Sequence, residues 1–191
     1  SELDPDQVYL EEIGEEGDIL PSQFPTITNS TPFGGYLPGS VVSVSGAPGG
    51  IGKSAFLLFE AVPMAMAGRS ILYVALGDLM KFDFLTRFTA VATSVDYFKV
   101  VQKPNKYYLD PDVTSIREKI DLIAVPSRKL SSKQLISYIN SCGKRYDVVI
   151  VDYDSNFDQP SESMYDSGGA IYDDMTEIAR PEGEANRLVM I

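Results

Sequence analysis

A chain of 191 residues with 27 acids, 16 bases, no histidine and one cysteine has room for one sizeable core, and it excludes several chemistries at once. The lack of histidine removes His-based catalytic triads and His-ligated metals, and the lone Cys142 removes an internal disulfide framework and fits a reducing, cytoplasmic setting. No apolar run reaches the length of a membrane span, and the acidic start does not read as a signal peptide.

The net charge of −11 is uneven. Eight acids and no base fall in the first twenty residues, which leaves nineteen acids against sixteen bases in the remainder. Residues 1–31 therefore read as an acidic arm and linker, either solvated or docking a neighbour, and residues 32–191 as one nucleotide-binding domain. The body has no strongly basic balance of the kind that grips a phosphate backbone.

In chain order, a short helix is predicted near Val8–Ile13, and Pro21 to Pro38 is expected to be irregular. Val41–Ser45 suits a buried strand ended by Gly-Ala-Pro-Gly-Gly. The dense apolar run from Gly52 to about Ala67 predicts a buried helix, bent or shortened at Pro63 and stopped at Gly68. Ile71–Leu76 is a second strand, closed by Gly77-Asp78, and Phe82 to about Ser94 is helical. Lys99 to Pro111 has irregular chemistry, and Asp121–Val125 is a third strand. Ser131 or Ser132 to Cys142 forms an amphipathic helix with a serine cap, stopped at Gly143. Asp147–Asp152 is a fourth strand, Gly169–Arg180 a helix and Arg187–Ile191 a fifth strand. Continuous apolar strands alternating with helices predict an α/β fold, a mostly parallel sheet with helices on both faces.

The chemistry centres on Gly46-Ala47-Pro48-Gly49-Gly50-Ile51-Gly52-Lys53-Ser54, between a strand and a helix. Glycines there let the backbone N–H groups of Ala47, Pro48-Gly49, Gly50, Ile51, Gly52, Lys53, Ser54 and Ala55 (proline excepted) approach a nucleotide's phosphates, with the positive end of the helix behind them. Lys53 is placed to neutralise β/γ oxygens and Ser54 to ligate Mg²⁺. Asp152, ending a run of β-branched residues, is the second candidate Mg²⁺ ligand, at the carboxyl end of a buried strand. Asp78 is the candidate acid for orienting an attacking water. Lys99, Lys103 and Lys106, interleaved with Tyr97, Phe98, Tyr107 and Tyr108, read either as a single-strand-binding surface or as a solvated segment with core-anchoring tyrosines. The acidic run from Asp152 to Glu177 would repel a nucleic-acid backbone.

Together these residues resemble the RecA-like P-loop ATPase domain of DnaB-type replicative helicases. The likeness rests on Gly34-Gly35-Tyr36-Leu37-Pro38-Gly39 before the first strand, on Ala47–Phe56 at the phosphate loop, and on Val148-Val149-Ile150-Val151-Asp152-Tyr153. It runs in order from about Pro32 to Ile191. The resemblance implies ATP and Mg²⁺ as cofactors, a homo-oligomeric ring (a hexamer), an arginine donated by the neighbouring subunit, and single-stranded DNA as substrate in replication or recombination. Ile191 falls inside the strand that precedes that family's sensor residue and arginine finger, so the resemblance implies a piece of a longer protein or a shortened relative. The family's glutamate after the second strand is here Gly77-Asp78, which leaves open a module that binds nucleotide and hydrolyses it slowly or not at all. The glycine turn also resembles that of short-chain dehydrogenases, but none of the eleven tyrosines has a lysine four residues later, as the catalytic pair of that family requires.

Overall fold

The computed structural model describes residues 19–31, 33–45, 52–77, 79, 81–158 and 164–191. The helix expected near Val8–Ile13 lies outside them. The elements run β1 (Leu20–Pro21), α1 (Pro25–Ser30), β2 (Gly35–Tyr36), β3 (Val41–Val42), α2 (Lys53–Met66), β4 (Ile71–Leu76) and α3 (Lys81–Thr93). They continue with α4 (Tyr97–Gln102), α5 (Pro104–Tyr108), α6 (Pro111–Arg117), β5 (Ile120–Val125), α7 (Ser132–Ser141), β6 (Val148–Asp152), α8 (Met164–Ala179) and β7 (Leu188–Met190).

Five strands form one all-parallel sheet in the order β3-β7-β6-β4-β5. β4 and β6 sit at its centre and every residue in both is buried, which is why both read as unbroken apolar runs. Side chains alternate between the two faces. Ile71, Tyr73 and Ala75 of β4 and Val148 and Ile150 of β6 join Leu57, Leu58 and Met64 of α2 and Phe84 and Phe88 of α3. Leu72, Val74, Val149 and Val151 join Leu135 and Ile139 of α7 and Met175 and Ile178 of α8 on the other face. The two layers of helices cover the sheet as the sequence pattern predicts.

Local chemistry explains the details. α7 begins with a full capping box: Ser131 Oγ accepts from the Gln134 N–H at 3.2 Å, while Gln134 Oε1 accepts from the Ser131 N–H at 2.9 Å. Pro63 does not end α2, which runs one turn further to Met66, and Ala67 N–H bonds Pro63 O at 2.9 Å. The segment from Pro21 to Pro38 is more ordered than its composition predicts. β1 and β2 pair antiparallel, Pro25 opens α1 at the position where a missing N–H costs nothing, and Phe24 stacks on Phe56 with centroids 5.0 Å apart. Likewise Lys99–Pro111 is not irregular. Asp96 caps α4 and Asp110 caps α6, each accepting a backbone N–H at 2.9 Å, and prolines open α5 and α6. Among the described residues no helix is long and apolar enough to cross a membrane.

Candidate functional site

The carboxyl ends of β4 and β6 lie side by side, with Ala75 level with Asp152, and α2 begins opposite them. Alternation along β6 turns Asp152 to the same face as Val148 and Ile150, toward α2. There its carboxylate is held at both ends. Ser54 Oγ donates to Oδ1 at 3.0 Å, and Tyr73 Oη donates to Oδ2 at 2.8 Å. Asp152 is 3% exposed and Tyr73 wholly buried. Burial, then the charge of Asp152, pushes the Tyr73 phenol well above its ordinary range, so it remains a protonated donor. The Asp152–Tyr153 peptide is cis.

α2 starts from Gly52, whose φ of 91° is left-handed and favours glycine, and no side chain caps this end. A helix start in this condition leaves first-turn N–H groups for an anionic ligand. Lys53 opens the helix, with Nζ 4.8 Å from the centroid of the Tyr153 ring, a cation–π contact that holds the ammonium at the end of β6. Ala55 lies on the side of α2 that lines the apolar groove against α3.

A cavity of about 370 Å³ opens over Ser54 and Asp152. α3 contributes Asp83 and Arg87 to it, the ends of β4 and β5 contribute Gly77 and Ser127, and the turn after β6 contributes Asn156. Asn156 ties these ends together: Nδ2 donates to Leu76 O at 2.6 Å, Oδ1 accepts from Ser127 Oγ at 3.0 Å, and its carbonyl accepts from Arg128 N–H at 2.8 Å. Gly77 has φ 126°, and a Cβ built there would lie 2.8 Å from Asn156 Nδ2. No side chain fits at the position directly after β4.

Of the residues singled out from the sequence, Gly52, Lys53, Ser54, Ala55 and Asp152 are described, and Lys53, Ser54 and Asp152 come together. Ala47, Pro48, Gly49, Gly50, Ile51 and Asp78 lie outside the described residues. Sequence reading missed Tyr73, Arg87 and Asn156. A tyrosine in the middle of an otherwise aliphatic buried strand was the available signal for the first, since a buried phenol needs a partner. In the lysine–aromatic segment, Tyr97 Oη donates to Asp83 Oδ1 at 3.4 Å, and the hydroxyls of Tyr108 and Thr86 share a hydrogen bond at 2.5 Å. These tyrosines anchor α4 and α5 on α3, while Phe98 is 70% exposed.

Comparison with solved structures places the architecture. A solved ATPase domain of the DnaB helicase family superposes with a TM-score of 0.67 over all of this chain and 70% of that one, at 18% identity. The fold is RecA-like. A DnaB-like replicative helicase, solved for its interactions with primase, gives a TM-score of 0.68 over all of this chain and 48% of that one, at 19% identity. The RadB recombinase gives 0.54 over 83% of this chain and 62% of that one, at 16% identity. The RecA-like chain thus spans between 48% and 70% of the length of the proteins it superposes on. No protein-family model and no curated protein matches its sequence.

In the RecA-like frame the donor set suits Mg²⁺. Ser54 and Asp152 offer hard oxygen ligands, and among the described residues no group of three or more His, Cys, Asp or Glu could hold a metal unaided. Mg²⁺ characteristically takes one or two protein oxygens and completes its shell with phosphates and water.

Proposed function

We propose that this chain binds Mg²⁺–ATP between the start of α2 and the carboxyl ends of β4 and β6, as the nucleotide-binding domain of a helicase-related ATPase. The observation that carries the reading is the Ser54 Oγ to Asp152 Oδ1 contact of 3.0 Å, made across 98 residues of sequence. A hydroxyl at a helix N-terminus and a carboxylate at a strand end are brought to one point, beside a lysine that follows a glycine-rich loop. In this reading Lys53 neutralises the β/γ phosphates, Ser54 and Asp152 hold Mg²⁺, and the N–H groups of residues 47–55 cradle the phosphates. The metal would neutralise charge developing on the phosphates, and Arg87 adds a cation on the α3 side of the cavity.

Action on single-stranded DNA, assembly into a ring of like subunits and docking of the acidic arm on a neighbour belong to the same proposal. They rest on the likeness to helicase ATPase domains. Titration of the purified chain with a fluorescent ATP analogue, with and without Mg²⁺, tests the binding step. Binding that strengthens with Mg²⁺ is expected; no binding at millimolar nucleotide would refute the reading.

A second reading, that the domain binds nucleotide and hydrolyses it slowly, is favoured by Gly77. The space directly beyond β4 is filled by an amide, which can orient water but cannot accept its proton. Asp78 is the acid that would have to serve instead. Steady-state phosphate release with and without single-stranded DNA separates the two readings: stimulated turnover above about 1 s⁻¹ fits the motor, and turnover far below that range, unmoved by DNA, fits the module.

A further inference from the structure

Asn156 ties three strand ends together, yet it also lines the cavity beside Ser54 and Asp152. Its orientation is fixed. Leu76 O can only accept, so the atom 2.6 Å away is the NH₂ group, and Ser127 Oγ donates to the carbonyl oxygen at 3.0 Å. An amide carries two N–H donors on nitrogen and two lone pairs on oxygen. The Leu76 and Ser127 bonds therefore use half the capacity of each group.

The neighbouring backbone is shaped around this side chain. Gly77 has a left-handed φ and no room for a Cβ, because the Asn156 nitrogen occupies that space at 2.8 Å. The amide sits where a side chain at the end of β4 would otherwise project, on a half-buried residue clamped from two sides. A clamped donor loses little rotamer freedom on meeting a ligand, which is the condition for effective preorganised recognition.

We propose that Asn156 is a specificity-determining residue that reads the terminal phosphate, so that the site distinguishes a nucleoside triphosphate from a diphosphate. The inference rests on the Mg²⁺–ATP reading above. The start of α2 takes the inner phosphates through its N–H groups, and Ser54 with Asp152 marks the metal that bridges to the outermost one. Gly77, Ser127 and Asn156 line the part of the cavity contributed by the ends of β4 and β5 and the turn after β6. A phosphoryl group beyond the metal meets that part, and Nδ2 of Asn156 is the held N–H donor there.

The test is the ratio of dissociation constants for ADP and for a non-hydrolysable ATP analogue, both with Mg²⁺, measured by displacement of a fluorescent nucleotide from the full chain. Wild type should prefer the triphosphate. Asn156→Ala should reduce that preference about tenfold, the scale of one hydrogen bond to a charged oxygen, while leaving ADP affinity within about twofold. Asn156→Leu keeps the side-chain volume, should the alanine variant not fold, and should give the same loss. A purely structural clamp predicts something different: both affinities fall together, or stability falls and the ratio stays. Either result overturns the proposal, as does a wild-type chain with no triphosphate preference. Failure of wild type to bind any nucleotide instead refutes the Mg²⁺–ATP reading itself.

Discussion

Tyr73→Phe removes one oxygen from the centre of the site and leaves the ring's packing against Phe84 in place, with centroids 4.9 Å apart. The lost hydroxyl is the donor to Asp152 Oδ2 at 2.8 Å, and both residues are buried, so no bulk water reaches the abandoned oxygen. A hydrogen bond to a charged group contributes about 1.5–3 kcal/mol, and orphaning a buried charged acceptor pushes the cost toward the upper end. The expected loss of unfolding free energy is therefore about 2–3 kcal/mol, measured by urea denaturation at neutral pH. The same substitution at Tyr146 supplies the scale. Tyr146 Oη also donates to a carboxylate, Asp121 at 2.8 Å, but the Asp121 side chain is 36% exposed and keeps Lys144 Nζ at 2.7 Å. Solvent and a second partner compensate there, so Tyr146→Phe should cost less than about 1 kcal/mol. Functionally, Tyr73→Phe frees Asp152 to turn away from Ser54, so the Mg²⁺ concentration needed for half-maximal nucleotide binding should rise several-fold. A Tyr73→Phe chain as stable as wild type, with unchanged Mg²⁺ dependence, would refute the argument that the phenol holds the carboxylate.

Buried groups elsewhere give pH-dependent outcomes. Glu60 on α2 is fully buried, with Oε1 accepting from Ser22 Oγ at 2.8 Å and Oε2 without a partner among the described residues. Burial raises its carboxyl above the ordinary range, so the native state binds this proton more tightly than the unfolded chain, and the stability contribution is lost as pH rises through the folded value. Glu60→Gln, which cannot titrate, should therefore be more stable than wild type at pH 8, with the gap closing toward pH 4 in denaturation curves; a gap that widens on acidification would contradict this. Its neighbour Tyr36 is pushed to about 12, first by burial and then by the charge of Glu60, so a second loss of stability is expected between roughly pH 10 and 12, one that Tyr36→Phe should reduce. Gly77→Ala puts a Cβ at φ 126° and 2.8 Å from Asn156 Nδ2, and should lower stability by about 1–3 kcal/mol in thermal or urea unfolding; a neutral substitution would show that the turn relaxes freely.

What the sequence made legible was set by pattern and spacing. β4 and β6 are unbroken apolar runs because both their faces are covered, and Asp152 stands out as the acid that ends one of them. The serine cap of α7 was visible because capping chemistry is local. The short helices between Tyr97 and Arg117 were hidden because each is set by a cap or an opening proline over five to seven residues, too few for periodicity to register. The order in the segment from Leu20 to Tyr36 comes from long-range contacts, Leu20 in the core and Phe24 on Phe56, that composition cannot reveal. Asn156 and Tyr73 belong to the site through bonds spanning 80 and 79 residues, so only the sheet register brings them there.

The central claim, that the start of α2 is a nucleotide's phosphate site, is tested most directly by the affinity of Lys53→Ala for Mg²⁺–ATP. Lys53 is half-buried against the Tyr153 ring and takes no part in the core, so its removal should leave the fold and melting temperature unchanged. Loss of a charge-assisted contact to phosphate should weaken binding at least about tenfold. A Lys53→Ala chain that binds Mg²⁺–ATP as tightly as wild type would contradict the account.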